Sequence, residues 1–305
     1  MSIAWTRRRA ALVLVAVAFT GAAAAPWWLG AALSAPAPRA LGPPPAGLGD
    51  GVEAVVFPSD SGSAIHAWVV PGRAGCGAVV LAHSVRSNRL EHVGRAALLR
   101  RAGFASLLFD AQAHGESPGE RITFGHREAL DARAAVDWVH TRLPGEQVGY
   151  LGVSQGGAAA LLGASPLAVD ALVLEAVYPT LREAVAARIA IRLGPLAPVL
   201  APLLLLQVRA RLGVDADAIA PIEGIAHIAA PLLLIAGEDD RHTPLAQSQR
   251  MFDAAPEPKS LWVVPGAQHV DFERAAPEDY ARRVLEFLAA SLRENGACGV
   301  LPAGS

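Results

Sequence analysis

This chain of 305 residues contains a single lysine, Lys259, at the edge of the loop Pro256-Glu257-Pro258. Phosphate-loop, Schiff-base and serine–lysine chemistry would all have to pass through that one residue, and its setting suits a solvated surface position better than a site. Metal-ligand spacing is missing too. Neither His-Glu-x-x-His nor paired Cys-x-x-Cys occurs, so no metal is expected, and no cofactor motif stands out either. The 26 basic and 28 acidic side chains give a net charge of −2 without a long block of either sign, which argues against a nucleic-acid partner. Cysteine is scarce. Cys76 and Cys298 either pair in an oxidising compartment or stay apart as thiols of a surface loop and a frayed tail.

What is present is apolar. Hydrophobic residues make up 52% of the chain, enough for one large core, and one α/β domain with an insertion accounts for it. Arg7, Arg8 and Arg9 precede an apolar run from Ala10 to Pro26 that continues through Trp27 and Trp28 to about Leu33. Two readings compete for residues 1–33. A signal peptide would be cleaved at Ala22-Ala23-Ala24. A membrane anchor would keep the arginines in the cytoplasm and the tryptophan pair at the outer interface, and the run reaches the ~20 residues that a span requires. Thr6-Arg7-Arg8 hints at twin-arginine export. Either way the folded domain lies outside the cytoplasm, anchored or secreted. Residues 34–51, with Pro36, Pro38 and Pro43 to Pro45, read as an extended tether, so the domain is expected over residues 52–295, followed by a tail at 296–305.

Within that domain, residues 52–57 and 65–70 read as two strands joined by a polar turn. Unbroken apolar runs at 78–82, 104–109, 148–153, 171–175, 232–236 and 261–264 read as buried strands. Helical spacing predicts helices over 89–102, 124–143 and 277–293. Alternating strands and helices mean a mostly parallel, doubly wound sheet. In that layout the loop holding Cys76 and the end of the last helix lie on the side opposite the strand C-termini, so a bridge to Cys298 is geometrically possible. Residues 178–228 break the alternation. Helices predicted over 178–193 and 196–212, the second apolar almost all round, read as an inserted cap that either packs as core or lines an apolar pocket.

Gly152-Val153-Ser154-Gln155-Gly156 follows the strand 148–153 and leads into a run of small residues. A serine on a sharp strand-to-helix turn needs small neighbours two residues away on either side, and the amide of Gln155 then faces a developing oxyanion. The strand 232–236 runs into Gly237-Glu238-Asp239-Asp240-Arg241-His242-Thr243-Pro244. The strand 261–264 runs into Gly266-Ala267-Gln268-His269. Serine, acid and histidine in that chain order are what nucleophilic catalysis on such a sheet requires.

These motifs, with His83-Ser84 after the third strand and Asp110 to Ser117 after the fourth, resemble an α/β hydrolase of the serine aminopeptidase and lysophospholipase-like group, which includes bacterial membrane-anchored members. The resemblance covers residues 52–292. It implies an α/β-hydrolase fold with a cap, and a triad of Ser154, Asp240 and His269. The group places its acid three residues after the loop glycine and four before the proline, which selects Asp240 over Asp239. Its second oxyanion amide falls on Val85, although Ser84 stands where a glycine is usual. His83, Asp110 and His114 become structural supports, and His242 an exposed neighbour of the acid. The implied activity is that of a serine hydrolase, and the leucine-rich cap fits an ester or thioester of an apolar, lipid-like acyl group as its substrate. A peptidase, an acyltransferase with the same triad and a non-catalytic membrane-tethered binding module are the alternatives.

Overall fold

The computed structural model describes residues 25–293 and Cys298. Most of the expected anchor or signal segment, and most of the tail, lie outside these residues. Among the described residues eight strands form one sheet: β1 (Glu53–Pro58), β2 (Ala64–Val70), β3 (Ala78–Ala82), β4 (Ala105–Phe109), β5 (Val148–Val153), β6 (Ala171–Glu175), β7 (Leu232–Gly237) and β8 (Lys259–Val264). Their order across the sheet is β8-β7-β6-β5-β3-β4-β2-β1. Strand β2 runs antiparallel to both of its neighbours, and every other pairing is parallel. The sheet is the expected doubly wound, mostly parallel one.

The period-two alternation of a strand decides which helix each residue meets. Val80 and Tyr150 face a core shared with α3 (Glu128–Arg142), α4 (Gln155–Leu161) and α9 (Leu245–Ala254). Val79, Leu81, Leu151 and Val153 face the opposite core, closed by α2 (Val93–Arg101), α10 (Phe272–Ala275) and α11 (Pro277–Leu292). Because both faces are covered, the central strands carry no polar alternation. Helix α3 begins four residues later than the spacing predicts, because Phe124 and Gly125 adopt positive φ and turn the chain before the helix starts.

Between β6 and β7 the inserted cap contains α5 (Leu181–Leu193), α6 (Ala197–Leu205), α7 (Val208–Leu212) and α8 (Pro221–Ile225). The expected continuous helix over 196–212 is broken after Leu205 into two pieces. The stretch Leu181–Leu205 is apolar and long enough to cross a membrane by length and composition alone. Here it is bent: Gly194 has φ of 49°, and α5 and α6 fold against each other.

Residues 25–34 form a helix, α1, which lies on the cap. Leu29 and Leu33 pack with Ile189, Ala197 and Leu204, while Trp28 is 72% exposed. Gln207 donates to the carbonyl of Pro26 at 2.9 Å, Arg211 to that of Trp27, and Arg86 to those of Ala32 and Ala35 at 3.1 and 3.2 Å. The segment expected to be a free tether is likewise tied down. Residues 37–38 pair with His114–Gly115, and Leu48 is fully buried. A proline-rich composition forbids a core of the segment's own, yet it leaves backbone groups free to bond to the domain. Cys76 and Cys298 form a disulfide that joins the β3 entry loop to the tail, closing a loop of 222 residues.

Candidate active site

Ser154 sits between β5 and α4 with φ 49° and ψ −109°, a conformation strained for any residue but glycine. The close approach that holds it is steric. A β-carbon on Gly152 would stand 2.6 Å from the amide nitrogen of Gly157, and one on Gly156 would overlap the carbonyl oxygen of Ala82. The Ser154 amide donates to the carbonyl of Glu175 at 2.7 Å, pinning the turn to the end of β6. The hydroxyl caps no helix amide, so it remains free for other use.

His269 stands between Ser154 and Asp240. Its Nδ1 lies 2.7 Å from Oδ2 of Asp240 and its Nε2 3.3 Å from Oγ of Ser154. A proton on Nδ1 donated to the carboxylate leaves the Nε2 lone pair facing the hydroxyl. The separation of 3.3 Å is slightly long for a hydrogen bond, as is usual before substrate tightens a site. Asp240 is fixed independently of the histidine, since its Oδ1 accepts from the amides of His242 and Thr243 at 2.7 and 2.9 Å. Asp239, by contrast, is exposed. The structure thus brings Ser154, His269 and Asp240 into one line of contacts and leaves Asp239 outside it.

Val85 and Gln155 both line a cavity beneath the cap. Gln155 opens α4, where first-turn amides have no acceptor within the helix. Val85 bonds to nothing through its amide among the described residues. His83 orients that peptide. The Ala111 amide donates to His83 Nε2 at 3.1 Å, so the proton sits on Nδ1 and is donated to the carbonyl of Ser84 at 2.8 Å. This carbonyl and the Val85 N–H belong to one planar trans unit, so holding the first aims the second. Asp110 accepts from the Arg89 amide at 2.7 Å, pairs with its guanidinium and accepts from the Glu116 amide at 2.9 Å. His114 is buried against the His83 ring, and burial first, then His83, brings its pKa down to about 3.

Sequence reasoning missed two parts of the site. Glu175, Arg95 and Tyr280 form a buried triad of another kind: Arg95 pairs with Glu175 at 2.6 Å, and Tyr280 bonds to both. They lock the end of β6, whose carbonyl in turn holds Ser154. A glutamate closing an otherwise apolar strand was the available signal. His242, expected to be exposed, is half-buried, lines the cavity and lies 4.9 Å from the His269 ring, centroid to centroid. Burial chiefly, then the His269 and Arg188 charges, lower its pKa.

The cavity has a volume of about 430 Å³. Its walls include Leu181, Val185, Ile189 and Leu193 of the cap and Leu29 and Leu33 of α1. A second hollow lies across the His269 loop, bordered by Ser84, Glu91, Val270 and Glu273. No group of histidine, cysteine and carboxylate side chains able to hold a metal occurs among the described residues.

A mostly parallel eight-stranded sheet with a strained serine after β5, an acid after β7 and a histidine after β8 is an α/β hydrolase. The family model described as "Serine aminopeptidase, S33" matches residues 74–220. An uncharacterized protein of Mycobacterium tuberculosis is 32% identical over 223 residues, 72% of this chain and 73% of that protein. The uncharacterized protein YqkD of Bacillus subtilis is 25% identical over 239 residues, 77% and 78% of the two chains. An esterase of Pyrococcus furiosus superposes with a TM-score of 0.70 at 24% identity, covering 85% of this chain and 98% of that one. An esterase from Exiguobacterium antarcticum gives 0.57 at 16% identity, covering 77% and 99%. The chain belongs to the S33 serine aminopeptidase-like group of α/β-hydrolase serine hydrolases.

Proposed function

We propose that the protein hydrolyses an ester or thioester of an apolar acyl group through an acyl-enzyme formed on Ser154. The observation that carries this reading is the position of His269, between the Ser154 hydroxyl and a carboxylate whose other oxygen is already held by two amides. His269 takes the hydroxyl proton as Oγ attacks the carbonyl carbon, and Asp240 stabilises the imidazolium. The amides of Val85 and Gln155 receive the oxyanion. His269 then returns the proton to the departing alcohol or thiol, and water repeats the sequence to release the acid. The leaving group must lie beside the His269 loop that protonates it. The cavity under the cap is lined by Val85 and Gln155 and by no residue of that loop, so it suits the acyl chain.

The membrane part of the reading rests on the apolar surface around the cavity. Trp27, Trp28, Leu196, Val199, Leu203 and Leu206 are exposed, all on α1 or the cap. In the sequence the apolar run of residues 10–24 immediately precedes α1. A bilayer is the occupant that accepts both surface and segment. Cleavage after Ala24 would leave α1 in place, so the cavity wall survives under either fate of the N-terminus. The disulfide agrees with an oxidising, extracytoplasmic compartment.

A fluorophosphonate probe should label the protein and not its Ser154→Ala variant, whose ester turnover should fall by about 10⁶-fold. A p-nitrophenyl ester series from acetyl to dodecanoyl should show kcat/KM rising with chain length until the cavity is full. Best activity on acetyl would remove the apolar acyl assignment, and absent labelling of folded protein would leave a binding module.

A further inference from the structure

The cavity under the cap is apolar in its walls but not neutral. Three charged side chains border it, Arg86, Arg188 and Arg192, and no carboxylate does. In a chain with more acidic than basic residues this imbalance is local and one-sided. None of the three makes an ion pair among the described residues. Arg86 donates through Nη1 to the carbonyls of Ala32 and Ala35, which are neutral acceptors and leave its charge uncompensated.

Arg188 is the informative member. It projects from α5, and its one hydrogen bond, 3.4 Å to the carbonyl of Ala184, stays within its own helix. On the outer side of the same helix the charged residues do find partners: Arg182 pairs with Asp217, and Glu183 with Arg250 at 2.6 Å. Arg192, one turn further on, is unpaired too but exposed, so Arg188 is the helix's one unpaired charge that is drawn inward. Burial and then the Arg192 charge work against its positive charge, while Tyr178 and Asp240 favour it, and the balance lowers its pKa. A guanidinium drawn into an apolar pocket without a counter-ion costs stability, and that cost is relieved when an anion binds beside it.

We propose that the cavity selects an acyl chain that itself carries an anionic group, in the simplest case a carboxylate, and that Arg188 is the residue that recognises it, with Arg192 adding to the field. This rests on the serine-hydrolase reading and names its substrate class: an amphiphilic acid rather than a plain fatty ester. It also separates the protein from the activity in its family's description. A substrate cleaved after its first amino acid would bring an ammonium group to the acyl side, where three guanidiniums would repel it.

The test compares esters of equal chain length with the full-length chain in neutral detergent at low ionic strength. Mono-p-nitrophenyl suberate should exceed p-nitrophenyl octanoate in kcat/KM by about tenfold, carried by KM, the scale of one charge-assisted hydrogen bond. p-Nitrophenyl 8-aminooctanoate, an ester of the same length that ends in an ammonium group, should be the poorest of the three. Arg188→Gln should lower kcat/KM on suberate about tenfold more than on octanoate, Arg188→Lys should restore part of the difference, and added salt should erode it. Preference for the neutral ester or the amine would overturn the proposal. So would an equal fall in kcat on both esters in Arg188→Gln, which would mean that the charge acts on Asp240 instead. Calorimetric binding of monomethyl suberate against methyl octanoate to Ser154→Ala protein reports anion selection without turnover. Lost labelling with retained selection would therefore count against the chemistry alone, and retained labelling without selection against this proposal alone.

Discussion

The floor of the site and its roof are built on opposite principles. On the floor the groups that hold Ser154 and its partners are themselves paired: Glu175 with Arg95 and Tyr280, Asp240 with two amides and His269, and His83 with the Ala111 amide and the Ser84 carbonyl. Glycines occupy the places where any side chain would collide. On the roof, four leucines and Val199 face outward and, among the described residues, Arg188 and Arg192 make no ion pair with a carboxylate. Chemistry needs atoms held within fractions of an ångström, whereas admitting a substrate needs a surface that yields. The contrast teaches that a substitution on the floor should cost reaction or fold, and one on the roof should change only what is bound.

The largest effect should come from the floor's chemistry. Asp240→Asn keeps the shape but removes the charge that orients His269, and ester turnover should fall by roughly 10⁴-fold with an unchanged melting temperature. A fall below about tenfold would mean that the orienting charge comes from elsewhere. Glu175→Gln breaks the buried pair and leaves Arg95 only the longer carboxylate contact, to Glu273 at 3.9 Å. Denaturant titration should show a loss of about 3–5 kcal/mol, with activity lost as the Ser154 turn loosens. A stability change under about 1 kcal/mol would place the bracing of the elbow elsewhere.

Acid sharpens the comparison next. His92 and His114, both beneath the floor, have pKa values lowered to about 3, in each case mainly by burial. The folded protein keeps them neutral, while the unfolded chain takes up protons below about 6.5. Their stabilisation is therefore complete above pH 6.5 and is lost as pH falls towards 3. Asp131 works the other way. Burial raises its pKa to about 6, so its folded form holds a proton between pH 6 and its ordinary value and recovers part of the loss. Denaturation midpoints should be flat above pH 6.5 and fall below it, by a net 1–2 kcal/mol per pH unit at most, by roughly the linkage slope. The smallest effect belongs to the roof. Val199→Ser with Leu206→Ser should move stability by no more than about 0.5 kcal/mol, while flotation with anionic vesicles should fall. A loss of stability as large as that of Glu175→Gln would erase the distinction between floor and roof.

The parts legible in the sequence were those with local signals. Unbroken apolar runs marked the buried strands, and glycine spacing around Ser154 marked the turn. A carboxylate-rich loop after a strand marked the place of the acid, and the family resemblance, through Gly237 and Pro244, singled out Asp240 there. Less legible was anything made by distant segments. Arg95, Glu175 and Tyr280 stand 80 and 105 residues apart and carry no shared motif. The docking of α1 was hidden because Leu29 and Leu33, read along the chain, continue an apolar run and look like more of the same span. The break after Leu205 was hidden by leucines that suit a helix on either side of it.

Sequence alone therefore determined the kind of sheet, the serine turn and the residue types offered at its rim, because backbone geometry and hydrophobic period act over a few residues. Tertiary structure alone decided three things: that the expected tether is laid on the domain, that α1 walls the cavity, and that Arg188 faces its interior without a counter-ion. Burial and charge pairing depend on what the rest of the chain brings within a few ångströms, and no local pattern records that.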